Sequence, residues 1–142
     1  MNYTIANVKL PRIAEASGTE LTTPALVAAA CADLKDLAQE SYHVLTLNNK
    51  NKIINRHMVS LGTVDRCFVH ARETFRAAIL DSASRIIVVH NHPSGDTTPS
   101  AEDIQITKQL ADAGKIIGIQ LLDHVIIGDG FCSLQKRGYT AV

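Results

Sequence analysis

Hydrophobic residues recur along the 142-residue chain at two spacings, which separate helices from strands. Helices are predicted where apolar positions lie three and four apart, over residues 22–40, 70–83 and 100–118. Thr22 or Thr23 caps the first helix, and Gly118 or Gly114 ends the third. Strands are predicted at the runs YHVLTL, KIINRHMVSLG, RIIVVH and IQLLDHVIIGDG, and FCSLQKRGY adds a short edge.

The order of these elements predicts an α/β fold in a single domain, with a mixed β-sheet and about three helices. The runs YHVLTL and KIINRHMVSLG are separated by the turn NNKN and predict a hairpin. The run RIIVVH is apolar almost throughout, which is typical of a strand covered on both faces. Residues 1–21 are weakly patterned and are interpreted as an N-terminal arm, which leaves the domain in residues 22–142.

The most informative stretch, RIIVVHNHPSGDTTPSAEDI, leads from a buried strand through a polar loop into a helix. His90 and His92 are two residues apart, so they point to the same side if the extended chain continues through Asn91. The loop reverses the chain, and Asp103, in the first turn of the helix, returns to the strand tip. Two imidazoles and one carboxylate make a three-ligand set for a catalytic zinc ion, whose fourth position is left to water.

Each of these residues also has a simpler structural interpretation. Ser100 and Asp103 would cap the helix whether or not a metal binds. Two histidines near the end of a strand can be ordinary loop residues. Their combination with the intervening proline and loop favours the metal site. The letters HNH do not indicate the nuclease of that name, because that class disperses its histidine and asparagine roles through a larger ββα unit.

Composition and charge narrow the function classes. Fourteen basic and fourteen acidic residues leave no net charge, so charge gives a nucleic-acid partner no support. The N-terminal residues lack a signal-peptide pattern and no apolar run reaches transmembrane length, which predicts no membrane partner. The three isolated cysteines argue against a disulfide framework and favour a cytoplasmic location. Cys67 and Cys132 are expected to be small buried hydrophobic residues.

The spacing His90-x-His92-Pro93, followed by Pro99-Ser100-x-x-Asp103, resembles the JAMM motif of MPN/JAB-domain metalloproteins. The segments LNNKNKI, SLGTVDRCFVHARETFRAAI and LLDHVIIGDG are similar to the RadC-like branch of that superfamily. The resemblance covers most of the chain and implies an MPN-type α/β fold with a curved mixed sheet, a zinc site and hydrolase activity. Longer RadC-like proteins carry a helix-hairpin-helix segment upstream, for which this chain has no room, so a stand-alone catalytic module is implied.

The resemblance also implies the remaining catalytic residues. JAMM enzymes take a glutamate base from a distant segment, and Glu40 matches that position, with Glu73 and Glu102 as poorer candidates. The serine that matches Ser100 helps to stabilise the developing oxyanion in JAMM enzymes. His124 is expected to be a hydrogen-bonded supporting histidine rather than a ligand. The other polar candidates are interpreted as structural residues: Asn91 at the strand tip, Asp96 in a turn, and His43, His57 and His70 without metal spacing.

Three hypotheses remain at this point. The first is a zinc-dependent hydrolase of amide or isopeptide bonds, acting on an unidentified peptide or protein. The second is a DNA-associated repair or processing factor, a label attached to RadC-like proteins that neither charge nor the few aromatic residues support here. The third is a non-enzymatic MPN binding module. Such modules typically lose metal ligands, whereas this chain keeps all three. The substrate and the oligomeric state stay open.

Overall fold

A five-stranded mixed β-sheet forms the centre of the computed structural model, which describes residues 19–62 and 69–139. The strands lie in the order β2-β1-β3-β4-β5, with β3 and β4 parallel and the other neighbouring pairs antiparallel. Their bounds are β1 Ser41–Leu47, β2 Ile53–Leu61, β3 Arg85–Asn91, β4 Gln120–Gly128 and β5 Gly130–Ser133. The predicted mixed sheet, hairpin and short edge strand are therefore confirmed.

Three α-helices pack on this sheet within the described residues: α1 Pro24–Ala30, α2 Ala71–Leu80 and α3 Ala101–Ile117. The longest, α3, connects β3 to β4, because two parallel neighbours need a crossover connection. Gly118, with a φ of 85°, ends α3 in the left-handed conformation that glycine adopts at little cost. The alternative stop, Gly114, lies inside the helix.

The prediction of one helix over residues 22–40 was wrong. Thr23 caps α1, which ends at Ala30, and a separate 3-10 helix follows at Ala32–Asp36. Residues three apart eclipse each other in a 3-10 helix, so the tighter turn directs both Cys31 and Leu34 into the same core. Tertiary packing thus overrides the helix propensity of this alanine-rich segment.

Strand β3 is buried on both faces, as its apolar run predicts. Ile86 and Val88 pack on one face with residues of α2 and α3, including Phe75. On the opposite face, Ile87 and Val89 pack with residues from the segment of α1 and the 3-10 helix. The end of β3 consequently brings polar side chains into an environment that excludes most water.

The predicted arm falls mostly outside the described residues, and its boundary stays a prediction. Glu20 makes an isolated bridge with Lys52, and Leu21 is buried in the core. Among the cysteines, Cys31 and Cys132 are buried and free, which confirms the expectation for Cys132, whereas Cys67 lies outside the described residues. Within the described part of the chain, no helix has the length and apolar character needed to cross a membrane.

Candidate metal centre

Four potential metal-ligating side chains converge at the end of β3. Glu40, His90, His92 and Asp103 each place one donor atom within 4.8 Å of the others. The Nε2 atoms of the two histidines lie 3.0 Å apart, and each is 3.2 Å from an oxygen of the Asp103 carboxylate. An oxygen of Glu40 lies 3.4 Å from Nε2 of His90. The structure thus brings together the three residues predicted as ligands and the residue predicted as base.

The two histidines project together because the chain stays extended beyond the last residue of β3. The backbone N–H of His92 donates to the carbonyl of Ile127 at 2.9 Å, which continues the pairing of β3 with β4. The following loop is tight. Gly95 has a φ of 88°, and its carbonyl accepts a hydrogen bond from Asp129 at 2.7 Å, so the loop is tied to the end of β4.

Asp103 reaches the histidines from a capping box at the start of α3. The Oγ of Ser100 accepts from the backbone N–H of Asp103 at 3.0 Å, and the Asp103 carboxylate accepts from the backbone N–H of Ser100 at 2.8 Å. The structural and metal interpretations of these residues are therefore compatible. One Asp103 oxygen, Oδ2, both caps the helix and faces His92, while Oδ1 faces His90.

Hydrogen bonds fix the tautomer of His92. Its Nδ1 lies 2.7 Å from the carbonyl oxygen of Asp96, which can only accept, so Nδ1 carries the proton. In a neutral His92 the Nε2 atom is therefore unprotonated, and its lone pair faces Asp103. This is the form of imidazole that binds a metal ion.

A buried chain of hydrogen bonds fixes the tautomer of His90 in the same sense. The hydroxyl of Thr107 donates to the carbonyl of Asp103 at 2.6 Å, so its oxygen accepts from Nδ1 of His124, also at 2.6 Å. Burial holds the pKa of His124 well below its ordinary value, so this histidine is neutral. The Nε2 atom of His124 then accepts a hydrogen bond from Nδ1 of His90 at 2.7 Å. In a neutral His90 the Nε2 atom is therefore unprotonated and carries a lone pair.

The charge of the centre favours a bound cation. Burial raises the pKa of the Asp103 carboxyl, but His90 and His92, which donate to it from Nε2 when their rings are protonated, and the backbone N–H of Ser100 outweigh burial and hold that pKa well below its ordinary value. Asp103 in turn raises the pKa of His92. A negative charge thus faces the Nε2 atoms of both histidines, and each Nε2 offers a lone pair to a metal ion when its ring is neutral.

The spacing of the donor atoms fits a small metal ion. In a tetrahedral site with bonds of about 2.0–2.1 Å, ligand atoms lie about 3.3 Å apart. The donor pairs of His90, His92 and Asp103 are separated by 3.0–3.2 Å. The side chain of His90 is fully buried and that of Asp103 nearly so, whereas Glu40 is 22% exposed, so the Glu40 side of the cluster faces solvent.

The other predicted candidates lie apart from this cluster. Glu73, in the first turn of α2, is exposed beside Arg72, and Glu102 is an exposed residue of α3. His124 is a hydrogen-bonded partner of His90, as expected. Sequence reasoning missed Thr107 and Tyr42, whose ring stacks on His90 with centroids 5.0 Å apart. Thr107 had a readable signal, because it lies four residues after Asp103 and so on the same face of α3.

Comparisons with known proteins show which sequences this chain resembles. A family model described as "RadC-like JAB domain" matches residues 21–139. The chain is 54% identical over 108 residues to a UPF0758 protein of Geobacillus thermodenitrificans, a match that covers 75% of this chain and 48% of that relative. It is 55% identical over 108 residues to a UPF0758 protein of Caldanaerobacter subterraneus, covering 75% of this chain and 46% of the relative. The chain thus spans about half the length of these curated relatives.

Proposed function

Because the chain belongs to the RadC-like JAB-domain family, we propose that it is a zinc-dependent hydrolase of amide or isopeptide bonds. The observation that carries the proposal is the convergence of Glu40, His90, His92 and Asp103 on one point at the end of β3. Two imidazoles and a carboxylate are a catalytic zinc set, and the fourth side chain supplies a carboxylate on the solvent side. The metal-free binding module is disfavoured, because such modules typically lack ligands that this chain retains.

In this proposal, His90, His92 and Asp103 hold the metal. Zinc, when bound, lowers the pKa of water to near 7 and polarises the carbonyl of the scissile bond. The protein contributes a donor set whose neutral imidazoles are already in the correct tautomer, so metal binding needs no change of tautomer. Tyr42 stacks on His90 and limits rotation of its ring.

Glu40 is the proposed general base. Its carboxylate lies 3.4 Å from Nε2 of His90, beside the ligands, yet it is partly exposed, so a substrate can reach it. There it accepts a proton from the attacking water and passes it to the leaving nitrogen. A proton transfer of this kind is worth about 100-fold or more in rate.

Ser100 is proposed to assist the developing oxyanion. Its Oγ accepts a hydrogen bond from the backbone of Asp103 and is therefore occupied as an acceptor by the helix cap. The hydroxyl proton is not used in that bond and remains free to donate to an oxyanion. The capping role and the catalytic role thus use different parts of one hydroxyl group.

The test begins with the metal content of the purified, untagged chain, measured by mass spectrometry after zinc is supplied. We expect about one zinc per chain, from the three-ligand set. Absence of metal from the parent would overturn the proposal. Peptides and isopeptide-linked lysine conjugates then serve as substrates, with cleavage followed by mass spectrometry. A zinc-loaded parent that cleaves none of them would overturn the proposed reaction while leaving the metal site intact.

Two matched variants assign the base. Glu40→Gln should keep its zinc and lose about 100-fold or more in turnover. Glu73→Gln removes a carboxylate outside the cluster and should behave like the parent. If Glu40→Gln is as active as the parent, Glu40 is not the base.

A further inference from the structure

The side chain of Asn91 is hydrogen-bonded to the backbone on both sides of Glu40. Its Oδ1 accepts from the backbone N–H of Ser41 at 2.8 Å and from the Ser41 hydroxyl at 3.1 Å. Its Nδ2 donates to the carbonyl of Gln39 at 2.9 Å. Only 1% of Asn91 is exposed, so these bonds form away from solvent, where an unmade bond is costly.

This arrangement continues a β-ladder beyond the point where the strands separate. The regular pairing of β1 with β3 ends at Tyr42 and His90, and the chain before Ser41 turns away toward the 3-10 helix. A carboxamide offers one acceptor and a donor group, as a peptide unit does. The Asn91 side chain therefore takes the place of the next backbone partner and joins to β3 a segment that is otherwise paired with β2.

A third bond completes the attachment of this segment. The carbonyl of Glu40 accepts from the backbone N–H of Gly62 at 2.8 Å. The backbone is thus fastened at residues 39, 40 and 41, and the Glu40 side chain projects from this fixed segment toward His90. Because alternate residues of a strand point to opposite faces, β3 presents His90 on one face and Asn91 on the other.

We propose that Asn91 is a positioning residue that sets the location of the Glu40 carboxylate relative to the metal ligands. The catalytic consequence rests on the proposed function of Glu40 as base, whereas the geometric statement does not. Both polar atoms of the Asn91 side chain bond to Ser41 and Gln39, not to the metal-ligating side chains. Its loss should therefore displace the base without removing a ligand. A displacement of about 1 Å at a catalytic group can cost about 100-fold in rate.

The geometric part is tested by NMR on protein labelled with ¹³C at the glutamate carboxyl carbons. The Glu40 signal is identified as the one missing in Glu40→Gln. In the parent, zinc should shift this signal, because the carboxylate lies beside the ligands. In Asn91→Ala that zinc-induced shift should shrink markedly, and the Ser41 amide should lose its protection from hydrogen exchange.

Thr46→Ala is the matched control. Thr46 is also a buried hydrogen-bonding residue of the sheet, but it bonds to Asp81 and Asn55, at the opposite end of β1. This variant should keep both the Glu40 shift and the Ser41 protection, even if its stability falls. Should Asn91→Ala not fold, Asn91→Asp replaces it: it keeps an acceptor for Ser41 but loses the donor to Gln39, so the Glu40 shift should again shrink.

The catalytic part uses a double-mutant cycle with any substrate that the parent cleaves. Asn91→Ala should retain zinc and lose about 100-fold in kcat/KM. If Asn91 acts only through Glu40, the double variant with Glu40→Gln should be no slower than Glu40→Gln alone, whereas two independent effects would multiply. Losses in kcat/KM that multiply in the double variant would overturn the inference. So would an Asn91→Ala variant that keeps the zinc-induced shift of the Glu40 signal and the exchange protection of the Ser41 amide.

Failure of the proposed function gives a different result. A parent that binds no zinc or cleaves nothing contradicts the hydrolase, yet the Ser41 exchange measurement still decides whether Asn91 fastens the Glu40 segment. If the Ser41 amide of Asn91→Ala is as protected from hydrogen exchange as in the parent, the Asn91 inference is contradicted, whereas the proposed hydrolase function is not.

Discussion

The Nδ1 atom of His90 lies 2.7 Å from the Nε2 atom of His124, and this contact determines which nitrogen of His90 faces the donor cluster. The contact is the last step of a chain that begins at the Asp103 carbonyl and passes through Thr107. Asp103 therefore acts twice. Its carboxylate belongs to the cluster, and its carbonyl sets the direction of the hydrogen bonds that prepare His90 to bind a metal ion.

Replacement of Thr107 tests this chain. Thr107→Val removes the hydroxyl with little change in volume, so Nδ1 of His124 loses its acceptor. The direction of the hydrogen bonds from His124 to His90 is then no longer fixed. We expect zinc affinity, measured by competition with a chromophoric chelator, to fall by about tenfold. Thr107→Ser keeps the hydroxyl and should bind zinc like the parent. Equal zinc affinity in the valine and serine variants would contradict the proposed role of these hydrogen bonds in zinc binding.

The two functions of the Asp103 carboxylate can be separated by a pair of variants. Asp103→Asn keeps an oxygen that can accept from Ser100 but loses the negative charge, so it should lose zinc under conditions in which the parent retains it. Ser100→Ala loses the hydroxyl cap and should cost about 1 kcal/mol in the free energy of unfolding. It should keep its zinc, because it retains the three predicted ligands His90, His92 and Asp103. Metal analysis and urea unfolding of both variants provide the measurements, and zinc loss in Ser100→Ala would contradict this division.

The sequence predicted most of the fold because its periodicities are locally consistent. The strand that carries His90 and leads to His92 is predicted from an apolar run, and Asp103 from its place after a helix cap. These residues are close in sequence, so local patterns predict their convergence, which the contacts of His92 and Gly95 with the end of β4 then fix. The break after α1 was not predictable in this way, because the burial of Cys31 and Leu34 depends on a sheet formed by distant residues.

The supporting contacts of the site were hidden from the sequence for the same reason. The bond from His124 to His90 spans 34 positions, and the bonds from Asn91 to Ser41 span 50. No periodicity relates such pairs, and a polar residue at a strand tip has many structural explanations. Glu40 is identified from the family resemblance, because no local pattern relates it to His90, from which its carboxylate lies 3.4 Å away.

The glycine at the end of β4 is expected to control the position of His92. A Cβ on Gly128 would lie 2.5 Å from the carbonyl oxygen of Gly95, in the loop that supplies the acceptor for His92. Gly128→Ala should displace that loop and lower zinc affinity by about tenfold. Gly130→Ala is the control: its φ of 84° makes the substitution strained by about 1–2 kcal/mol, but a Cβ there meets no atom within 4 Å. It should lower the unfolding free energy and leave zinc binding unchanged, and equal zinc affinities in the two variants would contradict the expected loop displacement.

Asp81, at the end of α2, is expected to stabilise the fold at neutral pH and to lose this contribution to the free energy of unfolding at acid pH. Burial raises its pKa, but hydrogen bonds from His57 at 2.6 Å, from Thr46 at 2.7 Å and from Asn55 outweigh burial and lower the pKa below its ordinary value. Since the carboxyl binds protons more weakly in the folded state, its contribution is present above the unfolded pKa of about 3.9 and is lost as the pH falls through the folded pKa.

Asp81→Asn should therefore lower the unfolding free energy by about 1–3 kcal/mol at pH 7, and the gap to the parent should narrow below about pH 4. Urea unfolding of both proteins across this range measures the gap. Asp33→Asn is the comparison, because Asp33 pairs with Arg56 at 2.7 Å but is 58% exposed, and such surface pairs contribute about 0–1 kcal/mol. A gap for Asp81→Asn that stays constant down to acid pH would show that packing, rather than the charge of the carboxylate, accounts for its effect.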